Sequence, residues 1–433
     1  MMFNSYKKFF ALSVSLFALA VGSICHAGII SSGPMLTDEY WNQQNPNAKA
    51  VILDQAGIKS LNEQIVRKSP SVVNLAAYPQ SVSAASLKLK LNDYSILEDD
   101  LYLHGKKVSD NYKNILRTQT NTGALPANIN VQYGIVVRRC PVRNLPTGEG
   151  LYYYADDKEF DVLQDTMLDP CEPVAILHKS QNGFFYYVQA RNYSGWVYKS
   201  NVGLTDRSTW LKFLNPDKFL VVTDKDLTLK VGAEQVLYQQ GTVLPIVKET
   251  KDYYTVSAPE YGKNGSLNKQ SINILKNNPK VNKGYLPYTS QNILNSAFKF
   301  LNAPYGWGGL KDSVDCSSLV FNVYRTVGIY LPRNADDQET TAGNIVNLLG
   351  MSADQRKVQL GASNPGAALA MPNHIMLYLG QVNDEPYAIH SLGSHFANGS
   401  RQSVMKVVVS DLKLMKSDGN TYLNHLTHAC EYR

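Results

Sequence analysis

The sequence predicts an α+β protein in which small modules precede a larger C-terminal domain, and three observations support this. The chain has 433 residues, more than a single hydrophobic core usually holds. Short strand-like runs separated by turn residues fill residues 131–285, whereas helical patterns followed by strand-like runs fill residues 286–433. A hydrophobic content of 44% with 18% charged residues is typical of a folded chain rather than a disordered one.

The first 27 residues have the pattern of a secretory signal peptide. Lys7 and Lys8 form a basic start, residues 9–21 form an apolar stretch too short to cross a bilayer, and Ala27 ends a cleavable small-residue site. Two other interpretations stay open: lipidation of Cys25, which the bulky preceding residue disfavours, and an uncleaved membrane anchor. We expect an exported protein, periplasmic or secreted, with no stable membrane insertion after cleavage, and we expect a monomer.

The net charge of the expected mature chain is small. The leader carries two lysines and no acids, so 40 basic and 36 acidic residues remain, a net charge of +4. The sequence has no arginine-rich run and no stripe of basic and aromatic residues. We therefore expect no nucleic acid among the partners.

Residues 28–125 are predicted to form a mostly helical N-terminal domain. Ile58, Leu61 and Ile65 have the spacing of one apolar helix face. Residues 118–130 are polar and contain glycine and proline, as a linker does.

Two modules of similar composition follow, at residues 131–205 and 210–285. The first has short apolar runs at residues 134–137, 174–177, 184–189 and 195–197, and the second has them at 219–222, 243–247 and 253–256. Turn residues separate the runs, which is typical of small β-barrels.

Residues 286–433 are predicted to form an α+β domain. One apolar helix face comprises Leu294, Ala297, Phe298 and Leu301, and a second comprises Leu319, Val320, Val323, Tyr324 and Val327. Residues 375–379 and 387–391 follow as strand-like runs, so helices are expected to pack on an antiparallel sheet.

Cys316 falls at the start of the second predicted helix. The unpaired N–H groups and the dipole of a helix N-terminus favour a thiolate, the reactive form of cysteine. Asp315 is well placed to cap this helix. A lone cysteine is more often a small buried residue, but the polar neighbours Asp315, Ser317 and Ser318 argue against a plain core position.

His374 and His390 lie in the two strand-like runs that follow. A hairpin centred near residue 382 would place them opposite each other, as a base and the polar ring that orients it. A cysteine that opens a helix, followed by histidines on strands, is the layout of a papain-type thiol hydrolase. A zinc site built from Cys316 and the two histidines has no closely spaced ligand pair, so neither a metal nor another cofactor is expected.

Residues 286–396 resemble the NlpC/p60 family of bacterial cell-wall peptidases. The matching motifs are Pro-Tyr-x-Trp-Gly-Gly at 304–309, Asp-Cys-Ser at 315–317, Gly-Ile-x-Leu-Pro-Arg at 328–333 with Gln338, His-x-x-x-Tyr-Leu-Gly at 374–380, and His390. Residues 142–147 and 160–164 resemble a bacterial SH3-like barrel. The upstream part is thus similar to a subgroup in which a signal peptide, a stabilising N-terminal domain and two such barrels precede a papain-like catalytic domain.

The resemblance implies a cysteine endopeptidase that hydrolyses the γ-D-glutamyl-diamino acid bond of peptidoglycan stem peptides through a thioester. It assigns the catalytic roles as follows: nucleophile Cys316, base His374, orienting residue His390, and Tyr305 near the oxyanion site. The alternatives are an N-acetylmuramoyl-L-alanine amidase or an acyltransferase on the same scaffold, and a wall-binding protein without catalytic activity.

The resemblance also implies how the substrate is selected. Asp315 and Ser317 match positions that touch the substrate, and Asp315 is the nearest anionic partner for an amine. In related proteins with several barrels, the first barrel narrows the site so that only stems with a free L-Ala amine enter. Tyr152, Tyr153 and Tyr154 are the candidates for that wall.

Four cysteines remain after the leader: Cys140, Cys171, Cys316 and Cys430. An exported thiol enzyme must keep its nucleophile unpaired. Cys140 and Cys171 fall in one module, so they are the best candidates for a disulfide, with two buried free thiols as the alternative. Cys430 has no assignment.

Overall fold

A computed structural model describes residues 28–433. The predicted signal peptide and its cleavage site occupy residues 1–27, which lie outside the described residues. Within residues 28–433, no helix combines the length and the apolar character needed to cross a membrane.

The region before residue 131 is mostly helical, as predicted. It contains helices α1 (Asp38–Gln44), α2 (Gln55–Lys68), α3 (Ala84–Leu91) and α4 (Asp110–Gln119) and short strands β1 (Ser81–Ser83), β2 (Tyr102–Leu103), β3 (Lys106–Lys107) and β4 (Asn128–Asn130). Its apolar residues pack into more than one core. α1 and α2 pack against the C-terminal domain, whereas α3 packs against the first β module. This region therefore holds neighbouring modules together.

The first β module is a seven-stranded antiparallel sheet. Its strands are β5 (Gln132–Val136), β6 (Cys140–Arg143), β7 (Gln164–Leu168), β8 (Pro173–Lys179), β9 (Phe185–Gln189), β10 (Ser194–Tyr198) and β11 (Val202–Thr205). They pair in the order β11-β5-β8-β9-β10-β6-β7. The strand-rich character agrees with the prediction, but backbone pairing does not close the sheet into a ring. Helix α5 (Arg207–Leu214) leads to the next module.

The second β module combines a five-stranded sheet with a separate hairpin. Its strands are β12 (Phe219–Val222), β13 (Asp226–Val231), β14 (Glu234–Gln239), β15 (Val243–Glu249), β16 (Tyr253–Tyr261), β17 (Leu267–Leu275) and β18 (Val281–Lys283). The order is β17-β16-β15-β12-β18, with β13 and β14 paired to each other.

The C-terminal domain is α+β, as predicted. Its elements are α6 (Ser290–Phe298), α7 (Cys316–Arg325), α8 (Ala335–Thr341), β19 (Asn344–Asn347), α9 (Ala353–Gly361), β20 (Ala368–Met371), β21 (His374–Val382), β22 (Glu385–Ala397), β23 (Ser400–Asp411), α10 (Tyr422–His425) and β24 (His428–Glu431). The sheet order is β19-β24-β20-β21-β22-β23. Leu319 and Val323 of α7 pack on Ile375 and Ile389 of this sheet, so the helix that begins at Cys316 is fixed against the strands that carry the histidines.

The hairpin between β21 and β22 differs in register from the prediction. Its turn is Asn383-Asp384, with φ of 51° and 61°, and a bulge interrupts the pairing between Tyr378 and Gly380. Leu377 pairs with Ile389, which makes His390 a diagonal neighbour of His374 rather than its direct partner. Both histidines still face the same side of the sheet, because the shift is two residues.

The predicted disulfide between Cys140 and Cys171 is wrong. Both cysteines are free and buried, as is Cys430. Cys140 lies in the core of the first module with Val142, whereas Cys171 packs with Trp210 in a core shared with the second module. The two thiols serve different cores, and burial raises the pKa of each.

Candidate active site

Cys316 is the first residue of α7, and Asp315 caps the helix as predicted. The Asp315 carboxylate accepts a hydrogen bond from the Ser318 N–H at 2.9 Å, and the Ser318 hydroxyl accepts one from the Asp315 N–H at 2.9 Å. This reciprocal capping box fixes the direction in which the first turn leaves the preceding loop.

The thiol of Cys316 is harder to ionise than the sequence predicts. Burial raises its pKa to about 11, and the negative charge of Asp315 adds to this, while the backbone of Ile375 and the guanidinium of Arg333 oppose it. The Ser317 N–H at the helix N-terminus lowers the pKa, as predicted, but the cost of burying the thiolate is larger and the net shift is upward. At neutral pH the sulfur carries its proton, so attack requires a base.

His374 and His390 form a hydrogen-bonded pair that confirms their predicted proximity. His374 Nε2 lies 2.7 Å from His390 Nδ1, and His390 Nε2 lies 3.0 Å from the Ser410 hydroxyl. If His374 Nδ1 is the base, its Nε2 carries the hydrogen and donates to His390 Nδ1. His390 then carries its own hydrogen on Nε2 and donates to Ser410 Oγ.

Both imidazoles are neutral at neutral pH. Burial lowers the pKa of His374 to about 3, with a further contribution from Lys416. Burial, together with His374, also holds the pKa of His390 well below its usual value. A neutral imidazole is the form that can accept a proton from a thiol.

Ser410 is a functional position that the sequence reasoning missed. It is fully buried on β23 and follows Val407, Val408 and Val409. A single hydroxyl at the end of such an apolar run is the signal that could have identified it, because a buried hydroxyl needs a hydrogen-bond partner.

Tyr305 lies beside the thiol. Its backbone N–H donates to Met405 O at 2.9 Å, which ties the residue to β23. Burial and the neighbouring Cys316 raise the pKa of the phenol, so the hydroxyl remains a hydrogen-bond donor. A protonated donor next to the nucleophile suits a site where negative charge develops on oxygen.

Asp315 and Ser317 belong to a buried polar cluster organised by Arg333. The Arg333 guanidinium donates from Nη2 to Asp315 Oδ2 at 2.5 Å and from Nη1 to Ser317 Oγ at 2.8 Å. Burial opposes ionisation of Asp315, but Arg333 outweighs it and holds the pKa of the carboxyl below its usual value. Asp315 Oδ2 also accepts from the Gly308 N–H at 3.0 Å. The carboxylate is therefore charged and well satisfied within the protein.

A cavity of about 600 Å³ opens next to Tyr305, between the first β module and the C-terminal domain. Its aromatic and apolar lining comprises Tyr153, Tyr154, Phe160, Val162, Trp307 and Met405, and its charged lining comprises Asp156, Asp157, Glu159 and Arg401. The rings of Phe160 and Tyr305 are 5.9 Å apart, so Tyr305 lies behind a residue that lines the cavity.

The three predicted wall tyrosines have different surroundings. Tyr153 lines the cavity, and its hydroxyl donates to Asp99 at 3.2 Å. Tyr152 is not among the lining residues; its backbone pairs with that of Tyr102 at 2.7 and 3.0 Å. Tyr153 and Tyr154 thus line the cavity, whereas Tyr152 does not.

The first β module contacts the loop before Cys316 through two glycines. Gly308 and Gly309 have φ of 53° and 84°, a conformation that favours glycine. A Cβ atom would lie 2.7 Å from Gln164 at position 308 and 2.5 Å from Met167 at position 309. Gln164 Nε2 donates to Gly308 O at 2.9 Å across this contact. The Trp-Gly-Gly motif therefore lets the β module approach the catalytic loop closely.

Comparison with known families agrees with these two parts of the fold. Residues 302–409 match the NlpC/P60 family, and residues 151–198 match an SH3 domain of the SH3b1 type. The first match contains Tyr305, Cys316, His374 and His390, and the second contains Tyr153.

Two curated relatives share part of the chain. The gamma-D-glutamyl-L-lysine dipeptidyl-peptidase of Bacillus subtilis (strain 168) is 27% identical over 150 residues, which are 34% of this chain and 46% of that protein. Dipeptidyl-peptidase 6 of Lysinibacillus sphaericus is 24% identical over 238 residues, or 52% of this chain and 79% of that protein. The chain thus spans less than half the length of the Bacillus relative.

A solved structure shares the overall fold. An NlpC/P60 endopeptidase from Photobacterium damselae subsp. piscicida superposes with a TM-score of 0.76 at 20% identity, covering 93% of this chain and 97% of that one. The similarity extends beyond the C-terminal domain and includes the modules that precede it.

Proposed function

We propose that this protein, which carries an NlpC/P60 peptidase domain, is a cysteine endopeptidase that cuts the γ-D-glutamyl-diamino acid bond of peptidoglycan stem peptides. The observation that supports it most is the ordered series of Cys316, His374 and His390, with the two rings joined at 2.7 Å. The name of the Bacillus relative describes a bond of this class. Peptidoglycan as substrate agrees with the export that the first 27 residues predict.

The reaction begins with a thiol and a neutral imidazole. His374 Nδ1 takes the proton as Cys316 Sγ attacks the carbonyl carbon of the γ-glutamyl amide, and the carbonyl oxygen becomes an oxyanion. The backbone N–H of Cys316 and the Tyr305 hydroxyl are the proposed donors to this oxyanion. One such donor typically contributes ~3 kcal/mol to lowering the barrier.

The intermediate then breaks at the C–N bond. His374 returns its proton to the leaving amine, and a thioester remains on Cys316. A water molecule, deprotonated by His374, attacks the thioester, and the free γ-carboxyl group of the glutamyl product leaves as the thiol regains its proton. Each proton taken by His374 is given back, so no cofactor is required by this sequence of steps.

The cavity next to Tyr305 is the proposed substrate site. Its volume of about 600 Å³ suits a short peptide rather than a polymer. We assign Tyr153 to the wall of this site. Asp315 and Ser317, which were predicted to touch the substrate, are hydrogen-bonded to Arg333 and do not line the cavity. Asp156 and Asp157 on the rim add negative charge that favours a peptide with a free amine.

The function is tested with Cys316→Ala and purified muropeptides. Cys316→Ala should abolish turnover and leave the fold intact, because the variant removes only the nucleophile. The matched control is Cys430→Ala, which removes a buried thiol outside the site and should keep activity. Activity that survives in Cys316→Ala would refute the nucleophile assignment.

Mass spectrometry of the products separates the alternatives. Cleavage after D-Glu supports the endopeptidase, release of the peptide from the sugar supports an amidase, and transfer to an added amine supports an acyltransferase. A protein that binds muropeptides and forms no product would be a wall-binding protein.

A further inference from the structure

Residues 28–30 lie along the outer edge of β23. The Ile30 N–H donates to Val409 O at 2.9 Å, and the Asp411 N–H donates to Gly28 O at 3.1 Å. Ile29 and Ser410 form the antiparallel bridge between these two bonds. β23 is the last strand of its sheet, so this short segment covers the edge next to Ser410.

The Asp411 carboxylate is a buried charge that lacks a counter-ion. Asp411 is 2% exposed, and within residues 28–433 no lysine, arginine or histidine forms an ion pair with it. The nearby Lys413 ammonium is 3.3 Å from Glu385 instead. The Lys413 N–H donates to Asp411 Oδ1 at 2.9 Å. Burial still raises the pKa of Asp411, although the N–H groups of Gly28 and Lys413 and the charge of Lys413 oppose this. A buried carboxylate without a neighbouring cation destabilises the fold, so we expect a positively charged group close to Asp411 in the mature protein.

The nitrogen of Gly28 lies where such a partner would be. It is 3.0 Å from Asp411 Oδ1 and 3.0 Å from Asp411 Oδ2. A peptide N–H has one hydrogen for these two oxygens, whereas an α-ammonium has three. Gly28 is itself buried, so an ion pair at this place would be shielded from water.

We propose that cleavage of the Ala27–Gly28 bond creates the counter-ion of Asp411 and thereby secures the active site. Hydrolysis of this amide by water leaves a carboxylate on Ala27 and an amino group on Gly28, which is protonated at neutral pH. The proposal rests on the cleavage site expected from the sequence and, for its effect on rate, on the proposed function. Cleavage during export would thus form a buried ion pair between the Gly28 α-ammonium and Asp411, and this ion pair would stabilise the strand that supports the catalytic site.

The link to catalysis runs through two neighbouring residues of β23. Successive side chains of a strand point to opposite faces, so Asp411 faces Gly28 while Ser410 faces His390. When His390 carries its hydrogen on Nε2, Ser410 Oγ accepts it, and Ser410 is then a positioning residue that fixes the tautomer of His390 and, through it, of His374. The same strand holds Tyr305 through Met405 O. A loosened β23 would therefore disturb the base and the oxyanion donor together.

The test compares two forms of the full mature chain. One begins at Gly28 with a free amine, and the other keeps residues 26–27 before Gly28; both are released from a fusion by a specific protease. We expect the extended form to lose about tenfold in kcat on a γ-D-glutamyl tripeptide with little change in KM, and to have a lower Tm. Equal kcat and equal Tm for the two forms would overturn the proposal.

Asp411→Asn provides the coupling control. It should lower kcat and Tm in the form that begins at Gly28 and make both insensitive to the extension, because the ion pair is already lost. Asp418→Asn, an exposed carboxylate change, should leave the difference between the two forms intact. An extension effect of the same size in Asp411→Asn would show that the added residues act in another way and would refute the ion pair.

Two further measurements complete the test. Ser410→Ala should lower kcat and shift its pH profile, and Ser410→Thr, which keeps the hydroxyl, should restore both; a loss of Tm alone would refute the positioning role. Mass spectrometry of the exported protein should give Gly28 as its first residue, and another N-terminus would refute the proposal. If no form cleaves the tripeptide, the proposed function fails while the Tm comparison still decides the ion pair.

Discussion

At the scale of single residues, the pKa shifts favour a protonated Cys316 thiol beside a neutral His374 imidazole. Burial raises the pKa of the Cys316 thiol to about 11 and lowers that of His374 to about 3. A preformed thiolate–imidazolium pair would require the opposite shifts. In the proposed mechanism the proton therefore stays on Cys316 Sγ until a substrate carbonyl is in place, which would limit reaction of the resting thiol with other electrophiles.

The neutral histidines make stability depend on pH. In the unfolded chain His374 binds a proton below its usual pKa of about 6.5, whereas in the folded chain it stays neutral down to about pH 3. The unfolded state thus binds more protons between these values. The free energy of unfolding should fall as the pH is lowered through this window, by about 1.4 kcal/mol per pH unit from His374, and His390 acts in the same direction.

Urea unfolding between pH 4.5 and 7 tests this dependence. The comparison is made with His374→Gln, whose amide can still donate to His390 and which does not titrate. The variant should show a visibly shallower pH dependence than the parent protein. Parallel curves for the two proteins would mean that His374 takes up a proton in the folded state and is not buried as the structure shows.

The sequence predicted which candidate site residues lie near one another better than it predicted their pKa values. Cys316, His374 and His390 follow from residue type and spacing along the chain. The pKa of the thiol did not follow, because the dipole of a helix is visible in the pattern and the depth of burial is not. Ser410 was missed for a related reason: its partner His390 is twenty residues away, and only the pairing of β22 with β23 brings them together.

At the scale of elements, a buried ionic network fixes the C-terminal end of α7, the end opposite to Cys316. Arg325, in the last turn of α7, donates to Asp169 at 3.1 Å and to Glu172 at 2.9 Å, both in the first β module. Asp169 also pairs with Arg139 at 2.6 Å. Asn322 of the same helix donates to Gln239 of the second β module at 2.9 Å. The helix that carries the nucleophile is thus fixed by both β modules.

Removal of Arg325 should be costly. Arg325→Ala leaves the buried Asp169 and the half-buried Glu172 with less positive charge, and the loss of one partner from a buried ion pair typically costs about 3–5 kcal/mol. Arg138→Ala is the matched control, because the Arg138–Glu234 pair joins the two β modules at the surface. It should change the unfolding midpoint little. The two variants are compared by urea unfolding, and similar small losses would show that the buried network does not brace α7.

Strand content could be predicted at this scale, but register and cross-links could not. The alternation of apolar residues in residues 374–379 correctly indicated a strand. The turn falls at Asn383-Asp384 rather than near residue 382, and the bulge near Gly380 is not encoded by that alternation either, so the two histidines are diagonal neighbours. The disulfide failed similarly: two cysteines in one module say nothing about which side of the sheet each one faces, and these two face different cores.

At the scale of the whole molecule, the proposed substrate cavity belongs to no single module. Its walls come from residues 153–162 of the first β module, from Trp307, and from β22 and β23. The Trp307 indole donates to Asp161 O at 3.0 Å, and Lys311 pairs with Glu159, so the two sides are joined at the rim. The N-terminal helices α1 and α2 pack on the catalytic core from elsewhere. A cavity closed in this way admits a chain end more readily than the middle of a polymer.

This architecture leads to a prediction about the substrate amine. The peptide L-Ala-γ-D-Glu-diamino acid should be cut about 100-fold faster, in kcat/KM, than its N-acetylated form, since acetylation removes a charge that would be paired inside the cavity. Tyr153→Ala and Asp156→Asn should each reduce this preference by weakening the wall or its negative charge. Asp418→Asn, at a carboxylate that does not line the cavity, is the matched control and should retain it.

The use of point variants follows from the packing. Deletion of residues 28–285 would remove α1 and α2 from the catalytic core and the braces from α7, so a loss of activity would not report on the wall. Point changes at the rim leave those contacts in place. Equal cleavage of the free and acetylated peptides by the unaltered protein would refute the prediction that the cavity selects peptides with a free N-terminal amine. The first β module would then act as a brace for α7 alone, and the protein would be expected to digest intact wall as well as free stem peptides.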